Sequence, residues 1–330
     1  MSTAEAARPF DRESVALLQR PPRSLWSDAW RRLKRNKMAI AGLVYIIFLA
    51  IVAIAAPVLA PHNPIRGNVR EAGAYRQAAW LEDPNPKKSG TWEYPLGTDS
   101  VGRDIFSRLI YGTRVSLVVG FIPMIITTII GTFVGLAAGF LGGTMDNVLM
   151  RFTDVVYAFP DLLFFIIMMT SLRETWIGNL WNGFLLLFVS LSIVTWVGVA
   201  RLVRGQVLSL KEKEFVEAAR AIGVRPWKIV TRHILPNTLG PIIVLGAFAV
   251  PRAIIAEAIL SYLGIGVKPT TNPNAPFPTS WGDMILQGKV SMDSQPWMLI
   301  APSIAIALIT LAFTFLGDGL RDALDPREQI

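Results

Sequence analysis

The sequence predicts an all-α, polytopic membrane protein with about six transmembrane helices, and three observations carry that reading. Of its 330 residues, 52% are hydrophobic and only 17% are charged. The apolar residues fall in blocks of 16 or more instead of recurring at a helical or strand period. Several blocks also lack the polar face that a core helix of a soluble all-α protein would show. Cysteine is absent, which excludes a disulfide framework, a thiol nucleophile and a Cys-based metal site, and leaves the redox compartment unreadable. A net charge of +8 would suit nucleic acid, but in a membrane chain the placement of basic residues informs, not their total.

Residues 1–37 form a polar tail, expected in the cytoplasm, with nine Lys or Arg; five of these are Arg31, Arg32, Lys34, Arg35 and Lys37. The first apolar block, 38–60, follows at once. Ala53-Ile54-Ala55 faintly resembles a signal cleavage site, but the 23-residue block and the long leader before it read as an anchor with the N-terminus inside. Further spans are expected at Val115 to Phe140, Val155 to Leu172, Phe184 to Ala200, Leu239 to Ile265 and Trp297 to Leu316. At about 1.5 Å per residue most spans cross a hydrocarbon layer of about 30 Å, although Val155 to Leu172 and Phe184 to Ala200 are barely long enough. Segment 115–317 is then a five-helix core, and six crossings return a short C-terminal tail, 318–330, to the cytoplasm. Charge supports this sidedness. The inside loop from Arg201 to Asn237 holds eight basic residues against three acids, whereas the outside loops from Ser171 to Gly183 and from Gly266 to Pro296 hold one and two.

Segment 61–114 departs from the pattern, since it carries eight basic residues and is expected outside. A loop of this length is weakly constrained by charge, so it reads as a small extracytoplasmic structure. At its end, Asp104 to Tyr111 sets Ile105, Leu109 and Ile110 among polar residues, which predicts a short helix lying at the membrane interface.

The loop 201–238 is too ordered by its sequence to be a mere connector. Phe215, Ala219 and Ile222 recur at i, i+4 and i+7 beside Glu217 and Arg220, predicting a short amphipathic helix with those three on its apolar face. Gly223 supplies a positive-φ stop, and Pro226 suits the first turn of a second helix running to about Pro236. The result is two helices joined at a tight corner, an element that can act as a handle. A DNA-binding helix-turn-helix is excluded by the apolar spans on both sides.

Glu217-Ala218-Ala219, Gly223 and Ile234-Leu235-Pro236 resemble the EAA loop of membrane subunits in bacterial ABC importers. The general consensus has Ile where this chain has His233, whereas Arg232-His233-Ile234-Leu235-Pro236-Asn237 resembles the peptide-importer branch. Leu96-Gly97-Thr98-Asp99, Gly102-Arg103-Asp104, Ser107-Arg108-Leu109, Leu260-Ser261-Tyr262-Leu263-Gly264 and Leu316-Gly317-Asp318-Gly319-Leu320-Arg321-Asp322 agree. Together, over residues 25 to 327, they resemble the second permease of the dipeptide and oligopeptide importers. The Pro61 to Glu93 stretch is not a close match, and Lys268 to Ser280, with four prolines, is longer than the family's usual linker.

The resemblance implies a type I ABC importer permease fold and a multi-pass place in the bacterial inner membrane. It implies as partners a homologous second permease, two ATP-binding cytoplasmic subunits and an extracytoplasmic substrate-binding protein, besides membrane lipid and with no nucleic acid. No cofactor is expected on this chain, ATP and Mg being held by the ATPase subunits. Glu217, Ala218, Ala219, Arg220 and Gly223 would couple the chain to an ATPase: Glu217 at its surface, the small alanines permitting close approach, Gly223 setting the corner. The substrate would be a peptide, with nickel, glutathione or an oligosaccharide as alternatives of the same permease type; a membrane scaffold without a pathway is the alternative of another class.

No catalytic residue is expected. The nearest approach to a phosphate loop, Gly282 to Val290, has five residues between its glycines and Val290 where Ser or Thr should meet magnesium. The two histidines, His62 and His233, fall on opposite sides of the predicted membrane, so no shared metal site is expected. Asp161, Arg252 and Glu257 are ionisable residues inside predicted spans, costly there, and are candidates for the translocation path or for pairing between helices. Arg252 and Glu257 lie about 140° apart around a helix, so each is expected to meet a different neighbour. Gly131, Gly135 and Gly139 repeat at small-xxx-small spacing and predict close helix packing within the chain.

Overall fold

The computed structural model describes residues 25–268, 270–272 and 274–324. Residues 1–24 of the expected N-terminal tail and 325–330 of the expected C-terminal tail lie outside the described residues.

The chain crosses back and forth between two ends of one helical bundle. Helix α1 (Leu25–Leu33) precedes α2 (Lys37–Leu59), whose first turn is capped by Asn36 accepting from the Ala39 N–H at 3.1 Å. Pro57 inside α2 removes the N–H that would bond the Ala53 carbonyl, and Arg114 fills the vacancy, its Nε donating to Ala53 O at 2.5 Å. Segment 61–104 then forms a compact cap, with only a one-turn helix α3 (Val69–Ala72). We call this the loop end of the bundle.

Helix α4 (Ile105–Leu141) leaves the loop end in one unbroken run of 37 residues, about 55 Å long and well beyond a hydrocarbon layer. The interfacial helix expected over Asp104 to Tyr111 is instead the first two turns of this span, and the boundary at 114/115 falls inside it. Gly131, Gly135 and Gly139 face α8 (Phe184–Leu210) along α4's most extensive seam: a Cβ on them would stand 2.5 Å from Val199 Cβ, 2.6 Å from Ala200 O and 2.7 Å from Val207 Cβ. The glycines are therefore internal packing, and they let the two backbones approach.

The third expected span is broken. Helices α5 (Gly143–Tyr157) and α6 (Asp161–Ser171) meet at an angle of 76° across Ala158, Phe159 and Pro160. Pro160 has no N–H to continue α5 and pushes the residue before it out of the helical region, so the chain restarts with Pro160 as the N-cap of α6. Among the described residues five helices are long and apolar enough to cross a membrane, or six if this bent pair counts as one. After α7 (Trp176–Asn179) and a 3-10 turn at the loop end, α8 returns to the opposite end, which carries the corner helix α9 (Glu214–Ala221).

The second helix of the corner does not stop near Pro236. It runs as α10 (Pro226–Ile229), one π turn (Val230–Ile234) and α11 (Leu235–Tyr262), together 37 residues. Pro236 offers no N–H to the Arg232 carbonyl; the widened turn, in which Leu235 N–H bonds Val230 O, absorbs the defect and keeps the rod continuous. Helix α12 (Trp281–Val290) lies at the loop end, and α13 (Trp297–Leu324) crosses back, with residues 318–324 continuing the same helix past the expected end of the span. The main core cluster joins α2, α4, α11, α12 and α13 around Ile105, Ile254, Trp281, Met284 and Phe313.

Candidate functional site

Three features of the bundle gather the chemically informative residues: the corner, a cavity at mid-bundle, and a buried polar clamp at the loop end.

At the corner, α9 buries Val216 and Ala219 against Ile229, Val230 and Ile234. The apolar face expected from Phe215, Ala219 and Ile222 is thus rotated: Phe215 and Ile222 point outward, Ile222 at 81% exposure, together with Trp227 at 68%. Glu217, Ala218, Arg220 and Gly223 are also exposed. Gly223 takes φ +77°, where a Cβ is costly, and Val224 N–H bonds Ala219 O at 3.0 Å, closing the turn. A corner whose inner face is packed against the bundle and whose outer face carries Glu217 and Arg220 of α9, Ile222 at its end and Trp227 of α10 is a compact projection with an amphipathic outer surface.

Asp161 and Arg252, both exposed in this chain, line one partly open cavity of about 430 Å³ between α4, α6, α8 and α11 and the end of α5. Its other polar lining groups include Tyr157, Thr127 and Thr195, and most of the rest is apolar. On the corner side, Tyr157 lies under the Arg201 guanidinium at 4.3 Å, and Arg201 bonds Asp154 at 2.8 Å. Arg204 grips Asp146 through two bonds of 2.6 and 2.7 Å, so α5 is pinned to α8 by two ion pairs. Glu257 is not on this cavity. It is buried on the other side of α11, accepting from Ser261 Oγ at 2.6 Å, which agrees with its angular offset from Arg252.

Comparison with known proteins places these features in a family. Residues 131–330 match the family described as binding-protein-dependent transport system inner membrane component, and residues 24–78 match the N-terminal TM domain of oligopeptide transport permease C. The chain belongs to this family of membrane permeases. It is 40% identical over 311 residues to the dipeptide transport system permease protein DppC of Bacillus subtilis, covering 94% of this chain and 88% of that one. It is 39% identical over 307 residues to the oligopeptide transport system permease protein OppC of Escherichia coli K12, covering 93% of each. A glutathione transport system permease protein, GsiD of Escherichia coli O6:K15:H31, is 37% identical over 92% of this chain and 91% of its own. Among solved structures, an inward-facing form of the MetNI methionine ABC transporter shares the fold, with TM-score 0.50 at 16% identity, over 67% of this chain and 98% of that one.

The permease's loop end explains several of its sequence motifs as one construction. Asp104 caps α4 by accepting from Phe106 N–H and Ser107 N–H, and its carboxylate also takes the Ser107 hydroxyl at 2.5 Å. Arg108, 1% exposed, donates to Asp99 at 2.9 Å, Gln287 at 2.9 Å, and Thr279 and Asp283 at 3.3 Å. Arg103 adds bonds to Asp99 at 2.6 Å and Gln287 at 2.9 Å. Trp281 donates from its indole to Leu109 O at 3.0 Å. Segment 61–104 is thereby bolted to α4 and α12, and the polar residues among Ile105, Leu109 and Ile110 are not at a lipid surface but inside protein. Sequence reading missed Asp283 and Gln287 because nothing local marks a residue whose partner lies over 170 positions away. His62 stacks on Tyr94 at the loop end, whereas His233 sits by Phe215 at the corner.

Proposed function

We propose that this permease is the membrane subunit of a peptide-importing ABC transporter, paired with a homologous permease, two cytoplasmic ATPases and an extracytoplasmic binding protein. The corner then faces the cytoplasm with both termini, and segment 61–104 faces outside. ATP and Mg belong to the ATPases. The observation that carries the reading is the corner itself: its inner face is locked by Val216 and Ala219, and its outer face offers Glu217, Arg220, Ile222 and Trp227 to another chain. Peptide as substrate is supported by the names of the dipeptide and oligopeptide relatives.

The mechanism follows from the continuity of α10 and α11. One rod bears Trp227 at the corner, lines the cavity from Leu245 to Ile259, and ends beside the loop-end clamp at Ser261. An ATPase dimer that closes on ATP moves the corner as a rigid body, and the rod carries that displacement to the cavity wall. Packed interfaces of this kind switch between discrete arrangements rather than deforming smoothly. Binding of ATP elsewhere thus biases which way the cavity opens.

The test is Glu217→Lys. The variant is expected to accumulate in the membrane at wild-type level while ATP-dependent peptide uptake is lost and hydrolysis no longer responds to substrate. Unchanged uptake would overturn the coupling role of Glu217. A second reading, glutathione as the cargo, rests on the relative named for it; uptake assays with both cargoes separate the two.

A further inference from the structure

The cavity's two charged lining groups are poorly explained as structure. Asp161 and Arg252 both line it, yet among the described residues neither makes a hydrogen bond or an ion pair, with each other or with any other side chain. Of the other charges in this part of the bundle, Asp154 is held by Arg201, Asp146 by Arg204 and Glu257 by Ser261, whereas Arg151 of α5 has no such partner among the described residues and does not line the cavity. Ionisable groups inside a membrane bundle are costly, and one that is not held by its own chain marks a site that something else fills.

Their placement narrows what that is. Asp161 comes from the first residue of α6, freed by the 76° bend at Pro160, while Arg252 comes from α11, so an anion and a cation confront one space from separate elements. The remaining wall includes Leu162, Phe165, Leu191 and Ile259, which have no hydrogen-bonding side-chain group, and the hydroxyls of Tyr157, Thr127 and Thr195. At about 430 Å³ the space is of the size that holds small ligands, about 300–1,000 Å³, and not a folded chain.

We infer that Asp161 and Arg252 form a binding site for the two charged ends of a short zwitterionic peptide, with Arg252 taking the terminal carboxylate and Asp161 the terminal ammonium. A guanidinium is suited to a carboxylate because its planar donors pair with both oxygens. The apolar walls accept side chains without selecting among them, so the cavity reads the chemistry common to all short peptides. This rests on the peptide-importer reading above and deepens it, assigning the ligand class of the permease cavity separately from that of the binding protein.

The chain's lack of cysteine makes the test direct. Gly198 lines the cavity, and a Cβ added there meets nothing within 4 Å, so Gly198→Cys places a unique thiol of this chain on the wall. In the assembled importer without its binding protein, maleimide labelling of that thiol is followed by mass spectrometry with and without Ala-Ala. Ala-Ala is expected to slow labelling several-fold, N-acetyl-Ala-Ala-amide not to, and Arg252→Gln or Asp161→Asn to abolish the protection. Thr195→Cys on the same helix repeats the measurement should the first thiol prove unreactive. Equal protection by the blocked peptide, protection surviving both variants, or no protection by any peptide would each overturn the inference. Uptake by the complete importer is measured alongside: wild-type uptake with no protection refutes this site alone, whereas absent uptake refutes the peptide-importer reading itself.

Discussion

Removing Arg108 should loosen the loop-end cap without disturbing the spans. The magnitude follows from what is left behind. Breaking a buried charge pair by deleting one partner costs about 3–5 kcal/mol when the survivor is stranded. Here Asp99 keeps Arg103 Nε at 2.6 Å and the Val101 and Arg103 backbone N–H groups at 3.0 and 2.9 Å, and Asp283, 28% exposed, can rehydrate. Arg108→Ala is therefore expected at the low end, about 3 kcal/mol. Arg103→Ala, whose side chain is 24% exposed and which leaves Arg108 on Asp99, should cost only about 1 kcal/mol. Hydrogen exchange measures this where it acts. The amides of Tyr75, Gln77, Thr98 and Asp99 all bond across the cap, and about 3 kcal/mol of lost local stability speeds their exchange on the order of 100-fold. Amides of α8 should be unaffected. Less than a threefold change in segment 73–104, or equal acceleration in α8, would refute the clamp.

Four further outcomes follow from packing and backbone geometry. Gly135→Val puts a Cβ 2.6 Å from the Ala200 carbonyl, which cannot move aside, and should cost about 1–3 kcal/mol with a lower melting temperature in detergent. Gly205→Ala in the neighbouring helix meets nothing within 4 Å, and should leave that temperature unchanged or slightly raised. At the corner, Val216→Ala should cost about 2 kcal/mol because the side chain is fully buried, whereas Ile222→Ala should leave stability within about 0.5 kcal/mol and weaken retention of the ATPase on purification. Gly223→Val, at φ +77°, should cost about 1–2 kcal/mol and uncouple uptake, with Gly223→Asn milder in both respects.

Much of this was legible in the sequence because lipid imposes a simple code. Five of six spans and the glycine seam follow from apolar length and small-residue spacing alone. The bend at Pro160 did not, since Phe159, Leu162 and Leu163 keep the block apolar across the break and length alone cannot see a missing N–H. The first turns of α4 read as interfacial because alternating polar and apolar residues look the same whether the polar ones face water or, like Asp104, Ser107 and Arg108, a buried clamp. The corner's period was right and its phase wrong: periodicity shows that α9 has an apolar stripe, but Phe215 and Ile222 are apolar on the outer face while Val216 supplies the core contact. The structure places Asp161 and Arg252 around one cavity, a meeting of α6 and α11 that no local pattern encodes, and it sets Glu257 apart.

The most direct test of the importer mechanism is a cross-link from the corner. Ile222→Cys is exposed and, in a chain without cysteine, is this subunit's only thiol. In membranes holding the complete system, a short thiol-to-amine cross-linker is expected to join it to an ATP-binding subunit, with a yield that changes when ATP is trapped. No cross-link to any ATPase, from a variant that is present in the membrane at wild-type level and takes up peptide normally, would contradict coupling through this corner.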